Sequence, residues 1–413
     1  MPQRITDDTA GRAVKRSDDD ENRIWIGKLT LTDFRNYRSA TLTPRPDPAV
    51  LLGANGAGKT NCLEAISLLT AGRGLRSLPF SELARSGGTG GWAVAAKVFA
   101  GAEEIEIGTG VQIPPGAILG VRAPRIVKID GTQAKGSGAL ARIRMVWLTP
   151  AMDSLFVGAA SERRRFIDRL VLSLEPAYAG AAAAYDRAMR QRNKALEAFS
   201  PPQLLDSIEV QMAGAASEIA AMRQRAIQSL ASEIARERDS APDSAFPWAR
   251  LSLEGHLEEQ AGRMPASEIR ESYVRLLAQS RDRDRAAART LIGPHRSDLE
   301  VTHGPKDTPA KMCSTGEQKA LLVGLALAQA RLVKEVSGGV SPLILLDEIA
   351  AHLDAERRAA LFSSIARLNA QVWMTGTDSS TFAPLRDVSA SQFFLVSNGA
   401  FSPLNGAESG LKH

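Results

Sequence analysis

Hydrophobic and polar positions alternate near both ends of this 413-residue chain and fall into helical spacing in its middle. Early on, "IWIGKLTLTDF" (24–34), "SATLTP" and "AVLL" (49–52) read as strands. "WAVAAKVFA" (92–100), "EEIEIGTGVQI" and "RIVKIDG" (125–131) continue the period of two, and "PLILLDE" (342–348), "QVWMTGT" (371–377) and "QFFLVSNG" return to it late. Between them, "ASERRRFIDRLVLSL", "PAYAGAAAAYDRAMRQRNKALEAF" and "LLDSIEVQMAGAASEIAAMRQRAIQSLASEIARERDS" are amphipathic runs that predict long helices. The last two are expected to pack as an antiparallel pair across "SPPQ". The pattern predicts an α/β head in two parts, 23–160 and 288–404, split around a mainly helical arm inserted at 161–287. Residues 1–22, polar and charge-mixed, are expected to be a disordered tail.

One stretch adds chemistry to that outline. "LLGANGAGKT" (51–60) fits G-x-x-x-x-G-K-[ST] at Gly53, Gly58, Lys59 and Thr60, after a strand and before a helical pattern. In such a loop, Gly53, Ala54, Asn55, Gly56, Ala57 and Gly58 turn backbone N–H groups inward onto phosphate oxygens, and the glycines keep side chains out of the way. The helix beginning near Lys59 adds the positive end of its dipole. Lys59 is expected to steady the β and γ phosphates of ATP, and Thr60 to ligate Mg²⁺.

Composition narrows the class. With 44% hydrophobic residues and no apolar run near the length of a membrane span, the chain reads as soluble and cytoplasmic, with no membrane partner. The N-terminus has no apolar core for a secretory signal. Two cysteines, Cys62 and Cys313, argue against a disulfide framework. A net charge of +5 is compatible with nucleic acid and does not by itself point to it.

The catalytic partners of the loop stand at the other end of the chain. Leu343 to Leu346 lead into Asp347 and Glu348, a buried strand ending in two carboxylates. Asp347 is expected to hold Mg²⁺ with Thr60, and Glu348 to orient or deprotonate the attacking water. Upstream, "CSTGEQKALLVGLALAQARL" opens a long apolar helix with Ser314, Gly316 and Gln318 in a Ser-x-Gly-x-Gln turn. That turn resembles the signature motif of ABC-type ATPases. Asp354 in "AHLDAERR" matches the D-loop of the same superfamily. The resemblance implies that Ser314, Gly316 and Gln318 reach the nucleotide of a second protomer, so that the working unit is a homodimer.

Further stretches specify the group. "LTLTDFRNYRSATL" (29–42) resembles the opening of the RecF, RecN and SMC ATPases, in which the turn carrying Arg35 and Asn36 lies against the nucleotide. "GRGLRS", "LTPAMDSLFVGAASERRRFID", "GPHRSDLEV" and "STGEQKALL" resemble signature stretches of the RecF family, in the right order over nearly the whole chain. The resemblance implies an ATP-dependent DNA-binding dimer of recombinational gap repair and replication restart. It acts at duplex DNA and single/double-strand junctions at gaps, in the nucleoid. With RecR-type and RecO-type mediators it helps load a RecA-type recombinase, hydrolysing ATP slowly and faster with DNA. Two departures from the general ABC pattern stand out. No His follows "QVWM", where Thr375 and Thr377 are the candidates for its place, and no Q-loop glutamine is identifiable.

For DNA contact, arginines outside the nucleotide loop are the chemical candidates: Arg73, Arg76, Arg142, Arg144, Arg163, Arg164 and Arg165, with Arg169 completing the cluster. Sparse aromatics favour duplex backbone over stacked single strands. "GPHRSD" reads either as a polar lid near the nucleotide or as a structural turn. Two other classes compete with this reading. A transporter ATPase is disfavoured by the missing His and by the 34–37 turn, and a scaffold with a relic loop by the intact Lys59, Thr60, Asp347 and Glu348.

Overall fold

The computed structural model describes residues 18–113, 124–134, 140 and 142–404. Before the arm come β1 (Ile24–Phe34), β2 (Tyr37–Leu42), β3 (Ala49–Leu52), helix α1 (Lys59–Ser67), β4 (Trp92–Ala100), β5 (Glu103–Val111), β6 (Ile126–Ile129), β7 (Thr132–Gln133) and β8 (Met145–Leu148). The arm comprises α2 (Ala160–Leu174), α3 (Tyr178–Glu197), α4 (Pro202–Ser240), β9 (Ala249–Glu254), α5 (Glu258–Ala261), α6 (Ala266–Gln279) and α7 (Arg281–Ala286). The chain closes with β10 (Asp298–His303), β11 (Thr308–Pro309), α8 (Thr315–Val336), β12 (Leu343–Leu346), α9 (Ala355–Leu368), β13 (Val372–Gly376), α10 (Ala383–Val388), β14 (Gln392–Ser397) and β15 (Ala400–Pro403).

Two six-stranded sheets build the head. One is antiparallel, in the order β2-β1-β4-β5-β6-β7, and its strands alternate buried and open positions because one face is solvated. The other runs β15-β14-β3-β13-β12-β8, with β14, β3, β13, β12 and β8 parallel. Its central strands "AVLL" and "LILL" are buried at every position, as a sheet covered on both faces requires. Gln371 ties the sheets together: its amide bonds the backbone N–H of Ile26 at 2.9 Å and the carbonyl of Arg45 at 2.7 Å.

The register decides where chemistry can sit. Leu52 of β3 pairs with Gly376, Met374 with Leu346, and Leu346 with Leu148, so the loops after β3, β13, β12 and β8 leave one sheet edge together. Residues 53, 347 and 375, remote in sequence, meet there.

The arm, expected to be mainly helical, also contributes a strand. α3 and α4 do pack antiparallel across the predicted turn, but β9 forms a three-stranded sheet with β10 and β11, so residues 249–254 join the arm to the C-terminal half of the head. Arg192 of α3 is fully buried, matched by Glu209 at 2.9 Å, Asp284 at 2.7 Å and Thr290 Oγ1 at 3.0 Å. The tail expectation is corrected for Asp18–Asn22, a 3-10 turn held by an Asp20–Arg23 ion pair at 2.8 Å; residues 1–17 lie outside the described residues. Among the described residues, no helix is long and apolar enough to cross a membrane.

Candidate functional site

The loop after β3 has the backbone its glycines allow. Gly53 sits at φ 154°, and a Cβ there would collide with the carbonyl oxygen of Val396. Gly58, at φ 114°, is the N-terminal cap of α1, and its missing Cβ leaves the space that the Asn36 amide occupies. Ala54, Asn55 and Gly56 are exposed between them. The Asn36 amide donates to the carbonyl of Ala57 at 3.0 Å, and the Tyr37 hydroxyl donates to that of Gly58 at 2.9 Å. The turn after β1 therefore braces the loop, with Asn36, expected at the nucleotide, bonded to the loop backbone.

Lys59 is 4% exposed. Its ammonium donates to the carbonyls of Gly53 at 2.7 Å and Ala54 at 3.0 Å, curling over the loop. Burial lowers its pKa, while Glu348 and Asp347 pull the other way.

Thr60 donates its hydroxyl to Asp347 Oδ1 at 2.9 Å, and Thr375 donates to the same oxygen at 2.8 Å. Thr375 Oγ1 also accepts the backbone N–H of Glu348 at 2.8 Å, fixing the turn in which Glu348 adopts a left-handed φ of 55°. A glutamate held in that conformation has its backbone dictated by its surroundings. Burial pushes the Asp347 carboxyl above the ordinary carboxylate range, against the two threonine hydroxyls that pull it down. A buried carboxylate beside a hydroxyl is a hard-oxygen pair that suits Mg²⁺, an ion that keeps much of its water shell and takes further ligands from phosphate. Among the described residues no cluster of three or more His, Cys, Asp or Glu surrounds a common point, and such a Mg²⁺ site needs none. Of the two hydroxyl candidates, Thr375 bonds Asp347 and the Glu348 N–H, and Thr377 is exposed.

Ser314 caps α8 in a full capping box: its hydroxyl accepts from the Glu317 backbone N–H, and Glu317 Oε2 accepts from the Ser314 N–H at 3.0 Å. Ser314, Thr315 and Gly316 are exposed, and a Cβ on Gly316 would meet nothing within 4 Å. Gln318 turns inward, donating to the carbonyl of Cys313 at 2.8 Å, so it shapes the turn instead of facing outward. Asp354 caps α9, accepting from the Arg357 N–H at 2.8 Å.

The arginines divide sharply. Arg35, expected at the nucleotide, is spent on Glu64 at 2.9 Å and on the carbonyl of Glu82 at 2.9 Å. Three of the arginines expected at DNA spend guanidinium bonds internally. Arg163 pairs with Asp298 at 2.7 Å, Arg164 donates to the carbonyl of Ser297 at 2.8 Å, and Arg144 donates to Ser337 Oγ at 2.7 Å. Arg76 contacts Asn61 and Glu64 at 3.1 and 3.2 Å. Arg73, Arg142 and Arg165 are exposed, Arg142 and Arg165 with only an exposed or distant acidic neighbour.

"GPHRSD" is a structural turn. His295 Nδ1 lies 2.7 Å from the Tyr185 hydroxyl and Nε2 lies 3.0 Å from the Thr290 carbonyl, so Nε2 carries the proton and Nδ1 accepts. Beneath it, Arg223 binds Asp168 at 2.8 Å, Glu258 at 2.9 Å and Ser297 Oγ at 2.7 Å, a buried knot that sequence reading missed.

Comparison with known proteins agrees with this geometry. The RecF/RecN/SMC N terminal domain family matches residues 25–394. The DNA replication and repair protein RecF of Mesorhizobium japonicum is 50% identical over 384 residues, covering 92% of this chain and 98% of that protein. The Rhizobium meliloti protein of the same name is 48% identical over 383 residues, covering 92% of this chain and 99% of its own. The solved structure of the recombination mediator protein RecF-ATPrS in the RecFOR pathway shares the fold, with a TM-score of 0.78 at 22% identity over 93% of this chain and 99% of that one. The chain belongs to the RecF family of DNA replication and repair proteins, with the ABC-type ATPase head of the RecF, RecN and SMC group.

Proposed function

We propose that this protein is an ATP-gated, DNA-binding homodimer of recombinational gap repair. ATP lies between residues 53–60 of one subunit and Ser314 and Gly316 of the partner subunit. The observation that carries the reading is that each half of such a site is built and left open. The loop residues Ala54, Asn55 and Gly56 are exposed on one side, and so is the Ser314–Gly316 helix start on the other. Gly316 lies in the first turn of α8, where the chain's own packing does not require a glycine. Close approach by a nucleotide from outside is a reason to keep it. The solved RecF-ATP and RecF-ATPrS structures of the RecFOR pathway support ATP as the ligand.

The residues act as follows. Lys59 leaves the carbonyls of Gly53 and Ala54 to steady the β and γ phosphates. Glu348 takes a proton from, or orients, the attacking water, and Thr375 holds the Glu348 turn and Asp347 in place. Mg²⁺, when bound by Thr60 and Asp347, neutralises charge developing on the phosphates. One nucleotide at each of the two composite sites closes the pair, and both copies of an exposed basic surface (Arg73, Arg142) then reach duplex phosphates. Hydrolysis is slow and DNA-favoured, and opens the clamp. In this role the dimer works with RecR-type and RecO-type mediators in loading a RecA-type recombinase at gaps in the nucleoid.

Filter binding of linear duplex DNA, with and without ATP, tests the reading. It predicts salt-sensitive binding that needs ATP. DNA binding indifferent to ATP would contradict it.

A further inference from the structure

Helix α2 carries an arginine surface that the arm does not use. Arg163 and Arg164 turn toward Asp298 and Ser297, whereas Arg165 and Arg169, spaced to share another face, line a cavity of about 430 Å³. Thr60, Asp347 and Glu348 line it too, and Thr149 and Met152 of the segment after β8 contribute to its wall. It has room for on the order of ten waters.

Arg169 stands out there. Among the described residues its only hydrogen bond is to the Met152 sulfur, at 3.6 Å, and its guanidinium lies 5.4 Å from the Trp147 ring centroid. A thioether is a weak acceptor, so most of a five-donor fork is unspent. Burial pulls its pKa down to about 10, and neighbouring Arg165 adds to the effect while Asp168 opposes it. At neutral pH the group is still charged. Arg165, the second cation on this face, is 54% exposed and 3.7 Å from its nearest acid, Glu162. A desolvated cation short of an anionic partner is unfavourable, and a tetrahedral oxyanion offered to a planar fork relieves that.

We propose that Arg169, with Arg165 beside it, binds the orthophosphate released by hydrolysis before it leaves the cleft. The inference rests on the nucleotide reading above. Water attacks the γ phosphorus, the bond to the β–γ bridging oxygen breaks with its electron pair staying on ADP, and the water's proton passes to Glu348. The freed phosphate borders Thr60, Asp347 and Glu348, and these residues and the two arginines line one cavity. Holding phosphate there delays the reopening of the dimer.

Equilibrium dialysis of radiolabelled orthophosphate against the full-length, ADP-loaded protein tests this. The wild type binds phosphate, and Arg169→Met, which suits the company of Met152 and Trp147, lowers that affinity about tenfold or more while ADP stays bound. If Arg169→Met does not fold, Arg169→Lys carries the test: it keeps the charge but not the fork, and phosphate affinity falls several-fold. Unchanged phosphate affinity in the folded variant, with ADP bound, overturns the phosphate site and leaves the nucleotide reading intact. Failure of the wild type to bind ADP overturns both. Duplex DNA added to the same cells must leave the phosphate in place. Displacement would mean that these arginines serve the DNA backbone, and the inference would fall.

Discussion

Thr60 donates its hydroxyl to Asp347 across 287 residues of chain, at 2.9 Å. Thr375 reaches the same carboxylate oxygen from the strand between them. This bond is the point at which the two halves of the head become one site, and removing its supports should separate binding from hydrolysis.

Thr375→Val keeps the shape of a buried side chain while removing a donor to Asp347 and an acceptor for the Glu348 N–H. The half-buried N–H left unpaired costs about 1 kcal/mol of stability, readable by urea denaturation. ATP affinity should stay near wild type while hydrolysis falls. Equal loss of both would mean that Thr375 contributes only to folding.

Lys59→Ala removes the ammonium that curls over the loop. Without its charge-assisted hydrogen bonds to phosphate, worth about 1.5–3 kcal/mol, ATP binding should weaken about ten- to a hundredfold in a fluorescent-ATP titration. Lys59→Arg, with its charge intact but no compact ammonium, should bind better than Ala and still hydrolyse poorly. Wild-type affinity in Lys59→Ala would remove the loop from the mechanism.

Glu348→Gln preserves the turn and removes the base. ATP should remain bound and uncleaved, and light scattering after size exclusion should show more dimer with ATP than the wild type gives. A variant that stays monomeric at saturating ATP would sink the two-subunit site.

The arginines predict opposite phenotypes. Arg223→Met breaks a buried ionic knot and should cost about 3–5 kcal/mol of stability. Arg73→Ala, at an exposed position, should change stability by no more than about 0.5 kcal/mol. Its effect should instead be weaker DNA binding, with the salt slope reduced by about 1 for each phosphate no longer neutralised. Should Arg223→Met prove neutral by thermal unfolding, the arm is held to the head by something other than that knot.

Why the sequence told so much about the nucleotide loop and so little about the arginines is a matter of geometry. A phosphate loop is a local object: Gly53, Gly58, Lys59 and Thr60 are fixed by their own backbone, and "AVLL" and "LILL" announce strands buried on both faces. The strands that alternate, such as β1 and β4, were legible for the same local reason. β9 and β10 were not, because "ARLSLE" is short and finds its partner some fifty residues away. In "SERRRFID" the three consecutive arginines differ only in helical phase. That phase sends Arg163 and Arg164 to Asp298 and Ser297 and leaves Arg165 outside. Composition has no phase. Gln318, likewise, reads as a signature residue but spends its amide on Cys313, which only coordinates reveal.

The central claim is that ATP joins two copies of this chain and that the joined pair grips DNA. Ser314→Arg places a bulky cation at the exposed start of α8, outside the chain's own phosphate loop, so each monomer should still bind ATP. Closure should fail, and with it the doubling of the phosphates that are neutralised. DNA affinity measured across a salt series with ATP present is the direct test: the account predicts weaker binding and a flatter dependence on salt than the wild type. Affinity and slope both matching the wild type would mean that ATP-driven dimerisation is not what lets this protein hold DNA.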